Sequence, residues 1–191
     1  MNKVSLDDIM GISAYEKIRE NFRRGIIDLK QKRRVSVGDR VSLVFENRDT
    51  VIFQIQEMVR AERIVDLDKI REEIDAYNSL IPDPGELSAT LFLEIEDQTN
   101  LREELLQFLG IDEALSLRVG NHTIHARFEE GRSKEDKISA VQYVKFPFDG
   151  QEVSAFAGPE DAELQIDHPN YRARARLNGE TRKSLLADLT S

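Results

Sequence analysis

The dominant hydrophobic period changes along this chain, and that change decides what it can fold into. Before residue 81 apolar residues recur mostly at steps of three and four. After residue 86 they mostly alternate with polar ones. Between the two regimes stands Pro82-Asp83-Pro84-Gly85, a run that ends any preceding helix. The expected class is therefore α+β, with a helix-rich N-terminal half packed on a mainly antiparallel β-sheet formed largely by the C-terminal half. At 191 residues the chain suits a single domain over 1–191, with lobes 1–81 and 86–191 and a boundary at 82–85 as the natural subdivision.

In the first half, Tyr15, Ile18, Phe22, Ile26 and Leu29 make one apolar stripe, so a helix is predicted from Ser13 to about residue 33. Ser13 and Glu16 have the spacing of a capping box. Gly25 lies on the stripe and predicts a close packing neighbour; Lys30, Lys32, Arg33 and Arg34 suit the negative end of the helix dipole. Val35/Val37 and Val41/Leu43/Phe45 flank Gly38-Asp39 as a strand pair. A second helix capped by Asp49 or Thr50 is predicted to about Arg63, and a third from Asp66 or Asp68 to Leu80.

In the second half, Leu87 to Ile95 alternates as a half-buried strand. Asn100 to Leu109 reads as a short helix capped by Asn100 and stopped by Gly110. Gly120-Asn121 predicts a two-residue hairpin, Ile138 to Phe148 a strand, and Asp149-Gly150 a turn leading into Glu152 to Phe156. A last hairpin around His168-Pro169-Asn170 and a terminal helix over about 179–189 complete the reading.

Composition then narrows the function. The chain has no cysteine, which excludes a thiol nucleophile, Cys-ligated zinc and an iron–sulfur cluster held by this chain. A net charge of −9 argues against nucleic acid or an anionic membrane surface as the main partner. No apolar run is long enough to span a bilayer, and Met1 to Met10 has no signal-peptide pattern, so a cytoplasmic location is expected. The charge is uneven: residues 14–34 carry eight basic groups against three acidic ones, a local +5 able to meet an acidic partner.

Candidate site residues cluster on the second helix. A helical wheel places Glu62 between Met58 and Ile55 on the apolar face. Three readings stay open: Glu62 reaches solvent from a frayed last turn, pairs with Arg33 or Arg63, or binds a ligand. Glu57 and Arg60 lie on the opposite side and suit either an intrahelical ion pair or a partner protein. Arg48 and Asp49, in the polar turn before the helix, suit capping or an anion at a helix N-terminus, without the glycines of a phosphate loop.

Other sites are weaker. His122 and His125 point to opposite faces of a strand and cannot chelate one ion without a bulge. His168, at a strand end, can cap or titrate. Tyr143 and Lys145 share a strand face and have the groups of an acid and an electrophile for carbonyl chemistry. Arg172, Arg174 and Arg176 face Glu163, Gln165 and Asp167 as a cross-strand ladder if both runs are extended.

Phe45-Glu46-Asn47-Arg48-Asp49-Thr50-Val51, Phe53 to Met58, Arg60 to Arg63, Tyr77 to Pro82, Gly85 to Leu91, Val144-Lys145-Phe146-Pro147 and His168-Pro169-Asn170-Tyr171 together resemble the bacterial domain-of-unknown-function 3501 family. The resemblance covers nearly the whole chain and names no chemistry. It implies a genomic setting beside rubrerythrin-like and iron–sulfur redox proteins.

Two functional expectations follow. The first is a non-catalytic accessory or binding protein of a redox or peroxide-response system. It would need no cofactor and would meet a redox partner protein through the Arg48/Glu57/Arg60 side of the second helix. The second is a small enzyme or metal-binding protein with iron or manganese held by Glu57, Glu62, Glu86 and His168. A homodimer joined through an exposed sheet face is a further, structural expectation.

Overall fold

The computed structural model describes residues 1–96, 99–130, 133–134 and 137–191. A short 3₁₀ turn, Leu6–Asp8, precedes α1 (Ile12–Arg33), β1 (Arg34–Ser36), β2 (Val41–Glu46), α2 (Arg48–Ala61) and α3 (Leu67–Asn78). Past the proline-rich turn come β3 (Glu86–Leu93), α4 (Leu101–Leu106), α5 (Ile111–Ala114), β4 (Leu115–Val119), β5 (His122–His125) and β6 (Arg127–Phe128). The chain continues through a small ribbon of β7 (Ser133–Lys134) and β8 (Lys137–Ile138), then β9 (Val141–Pro147) and α6 (Gly150–Ala157). It ends with β10 (Ala162–His168), β11 (Tyr171–Arg176) and α7 (Gly179–Leu189). The class is α+β, with the long helices early and most strands late. No helix among the described residues is long and apolar enough to cross a membrane.

The strands form two main antiparallel sheets, ordered β1-β2-β3-β9-β6 and β11-β10-β4-β5. Sheet pairing runs across the boundary at 82–85, since β2 pairs with β3, Val44 opposite Thr90. Alternation sorts the first sheet into two unlike faces. Leu43, Phe45, Leu87, Ala89, Leu91, Val144 and Phe146 project to one side and share a core with Leu115, Leu117, Leu164 and Ile166 of the second sheet and with Phe156, Leu185 and Leu189 of α6 and α7. The opposite face carries Glu46, Ser88, Thr90, Tyr143 and Lys145. On that side α2 and α3 bury Val51, Ile55, Val59, Ile70 and Ile74 with Val4 of the N-terminal segment. Strand β3 is thus buried on both faces rather than half-buried, since helices cover its polar side as well.

Several local expectations are corrected. Gly11, not Ser13, stands at the N-cap of α1 and makes no side-chain cap bond. Gly25 is exposed, and a Cβ there would meet nothing within 4 Å, so it marks no close packing. Helix α2 is capped by Asn47, whose Oδ1 accepts from Thr50 N–H at 3.0 Å while Thr50 Oγ1 accepts from Asn47 N–H at 3.0 Å. That reciprocal pair is a capping box two or three residues earlier than Asp49 or Thr50 would give, stabilising by about 1 kcal/mol. Asn100 makes no side-chain cap bond, and the expected 100–109 helix is the short α4 followed by α5. Asp149-Gly150 opens a helix, not an extended run, because Asp149 caps Gln151 and Glu152 amides at 2.8 Å each.

One buried charge ties the layers together. Arg33, 1% exposed, donates to the Phe45 and Glu46 carbonyls, to Ser184 Oγ and to the Asp188 carboxylate. It joins α1 to β2 and α7, and all of its polar edge is used. Burial pushes the Asp188 carboxyl above the usual aspartate range, and the Arg33 charge opposes that rise.

Candidate functional site

The polar face of the five-stranded sheet is not fully closed by the helices above it. A cleft of about 510 Å³ lies between α3, the N-terminal segment and the β9–β6 edge. Its floor is Ser88 and Tyr143 to Lys145, and its walls carry Lys3, Asp75, Asn78, Asp83, Arg127 and Glu129. The register explains the gathering: Ser88 and Arg127 stand opposite Lys145 from its two flanking strands.

The Pro82–Gly85 turn supplies the acids. Gly85 adopts φ +74°, a left-handed conformation that favours glycine, and the turn closes through Glu86 N–H to Asp83 O at 3.1 Å. Asp83 then accepts from Lys3 at 3.0 Å, and Glu86 from Lys145 at 2.7 Å, with Lys145 also 3.9 Å from Asp83. The Lys3 ammonium holds the Asp83 carboxyl below the usual carboxylate range, against burial and with help from Lys145. Arg127, exposed at the edge strand, adds a third cation. Cations and carboxylates in one cleft can receive a ligand or segment bearing both signs of charge.

A second cavity, about 160 Å³, adjoins the first and shares Leu80 and Tyr143 with it. Glu46, only 7% exposed, lines it and accepts from Thr50 Oγ1 at 2.5 Å and Thr90 Oγ1 at 2.7 Å. Lys30 of α1 borders the same space.

The structure disperses the residues singled out from sequence. Arg48 pairs with Asp8 at 2.6 Å, and a Ser5 amide together with Arg48 pulls the Asp8 carboxyl down to about 2. Asp49 is exposed in the first turn of α2, where the dipole favours it. Glu57 accepts from Arg19 Nε and Nη2 at 2.8 Å each and from Tyr15 Oη at 2.7 Å. Its carboxyl is held below the usual range chiefly by Arg19, against burial, while burial and Glu57 raise the Tyr15 phenol. Arg60 donates to Glu16 at 2.6 Å. These three helix-two charges therefore face the chain's own N-terminal segment and α1.

Glu62 is the C-cap of α2 and exposed, so no buried carboxylate stands there. The wheel carried the helix about two residues past its end at Ala61; the chain leaves the helical path at Arg63, whose φ is +53°. His168 is 4% exposed, with Nε2 on Leu109 O at 2.7 Å and Nδ1 accepting from Asn170 N–H at 3.2 Å. Both ring nitrogens are used in pinning the β10–β11 turn to the α4–α5 connection. Glu57, Glu62, Glu86 and His168 thus sit in separate surroundings. Among the described residues no group of three His, Asp or Glu is placed to hold a metal ion. The arginine ladder is an ion-pair lattice: Arg172 meets Asp167 at 2.9 Å, Arg174 meets Glu163 at 3.8 Å, and Arg176 pairs with Asp161.

Of the expected site residues only Glu86 comes near the cleft, through its bond to Lys145, which lines the floor with Tyr143. Lys3, Asp83, Arg127 and Glu46 were missed. Glu46 had a usable signal, since it continues the polar parity of Ser42 along a strand whose other parity is Val41, Leu43 and Phe45.

A solved protein from Burkholderia pseudomallei K96243, described as a novel protein of unknown function, has the same fold. It is 32% identical, with a TM-score of 0.92 over 98% of this chain and 100% of that one. No curated protein matches this chain. The family model described as Protein of unknown function (DUF3501) matches residues 3–189, and with a solved relative of that identity over its full length, this chain belongs to the DUF3501 family.

Proposed function

We propose that this chain is a non-catalytic accessory protein that binds a charged partner segment in the cleft on the polar face of the five-stranded sheet. The observation that carries the reading is the cleft itself: it collects Lys3, Arg127 and Lys145 against Asp75, Asp83 and Glu129 in about 510 Å³. The Arg48/Glu57/Arg60 side of α2 is occupied by Asp8, Arg19 and Glu16, which favours the cleft as the docking place. The setting that the family resemblance implies names the partner class, an iron–sulfur or rubrerythrin-type redox protein. With no cysteine, this chain would serve such a system as a binding component and not as a cluster carrier.

The test is affinity capture from the native host at low salt with the intact chain and with Arg127→Glu, a change at an exposed side chain. An iron-containing protein recovered by the parent chain and depleted at least about fivefold by the reversal is expected, as for a charge contact at an interface. Recovery of no iron protein, or equal recovery by both chains, overturns the proposal.

A further inference from the structure

We propose that the cavity beside Glu46 is a binding site for a small zwitterionic amine of the amino-acid class, its ammonium on Glu46 and its carboxylate on Lys30. Binding here is independent of the docking cleft. Glu46 is more than nine-tenths removed from water, yet among the described residues no cation lies within 4.0 Å of it. Two threonine hydroxyls, Thr50 and Thr90, satisfy one lone pair on each oxygen and hold the group in a fixed orientation. A carboxylate has about four such positions, so roughly two remain for a ligand. A buried carboxylate is stabilised far more by a cation than by neutral donors, so the space against it favours a positively charged occupant.

The walls choose the kind of cation. Tyr77, Phe92 and Tyr143 line the space with aromatic carbon, which suits an alkylammonium, and among the described residues Glu46 is the one carboxylate its lining offers. Lys30 would repel a plain amine. It stands in the same cavity, beyond ion-pair distance of Glu46, and enters no ion pair or side-chain hydrogen bond among the described residues. A molecule with an ammonium at one end and a carboxylate at the other meets both charges. The volume of about 160 Å³ limits its size, being the liquid-water share of roughly five waters.

Isothermal titration of the intact protein with glycine, alanine and 4-aminobutyrate, beside propylammonium and propionate as single-charge controls, tests this. Expected is saturable binding of at least one zwitterion below about 1 mM, with both controls at least tenfold weaker. Glu46→Gln, which keeps the shape and leaves one oxygen to accept a threonine hydroxyl, is expected to weaken that zwitterion about tenfold or more. Lys30→Met, at a half-buried helix surface, is expected to narrow the gap between zwitterion and propylammonium, a result that stands even if Glu46→Gln fails to fold. No saturable binding of any zwitterion, propionate or propylammonium binding as well as the zwitterion to the parent protein, or unchanged selectivity in Lys30→Met overturns the proposal.

Discussion

The five-stranded sheet has two faces made by the same strands, and they do opposite things. Its apolar side is closed: Leu43, Phe45, Leu87, Leu91 and Phe146 are fully buried against the second sheet and α7. Its polar side is also covered, by α2, α3 and the N-terminal segment with their own apolar cluster, yet two cavities remain there and polar bonds from Lys3, Asn78 and Gln56 tie the cover together. Side chains such as Ser88, Thr90 and Lys145 cannot interdigitate as Leu and Phe do, because each must keep its hydrogen-bonding partners. Stability is thus concentrated on one face and binding capacity on the other.

The sharpest way to break that comparison is to truncate neighbouring residues of β3. Leu91→Ala removes buried volume from the closed face and is expected to cost about 3 kcal/mol. Thr90→Val, one residue along and pointing the other way, removes a hydroxyl donor to Glu46 and is expected to cost about 1 to 2 kcal/mol. Urea titration of both variants at neutral pH measures the difference. Equal losses would mean that the polar face contributes packing of the same quality as the core.

The alternation that separates the faces was legible in the sequence, and so were the hairpin at Gly120-Asn121, the β10–β11 pairing and the terminal helix. Each rests on near neighbours in the chain, where period and turn chemistry suffice. The candidate site was much less legible. Glu62 fell on the apolar face of a wheel that has no end, which left solvent, an ion pair and a ligand all open; the actual helix stops at Ala61 and the solvent reading holds. Arg33, offered as a partner for Glu62, is buried instead against Asp188, 155 residues away, a partner no local pattern names. The cleft likewise joins Lys3, Asp83 and Lys145 from three distant segments. Glu46 was the exception: its parity was readable, but its burial depended on α2 and α3 folding over a polar face, and alternation usually assigns such a face to water.

The smallest expected effect separates the faces by pH. The cover of the polar side is tied down at its N-terminal end by charge, Asp8 to Arg48 and Lys3 to Asp83, and by the side chains of Asn78 and Gln56. Asn78 bonds Val4 N–H at 2.8 Å and Gln56 bonds Met10 N–H at 2.9 Å. Asp8, at about 2, and Asp83, also lowered, give up their protons more readily folded than unfolded. Their contribution is therefore complete above the ordinary carboxyl value of 3.8 and is lost as pH falls toward their folded values. Amide exchange protection at Val4 and Met10 is expected to fall between about pH 4 and pH 2 while protection at Leu87 and Leu91 persists, since the closed face holds by burial. Asp8→Asn should lower protection of the segment already at neutral pH and flatten its acid dependence. Loss of protection in segment and sheet at the same pH would show that the two faces unfold as one cooperative unit, and that the charged fastening adds no separate stability of its own.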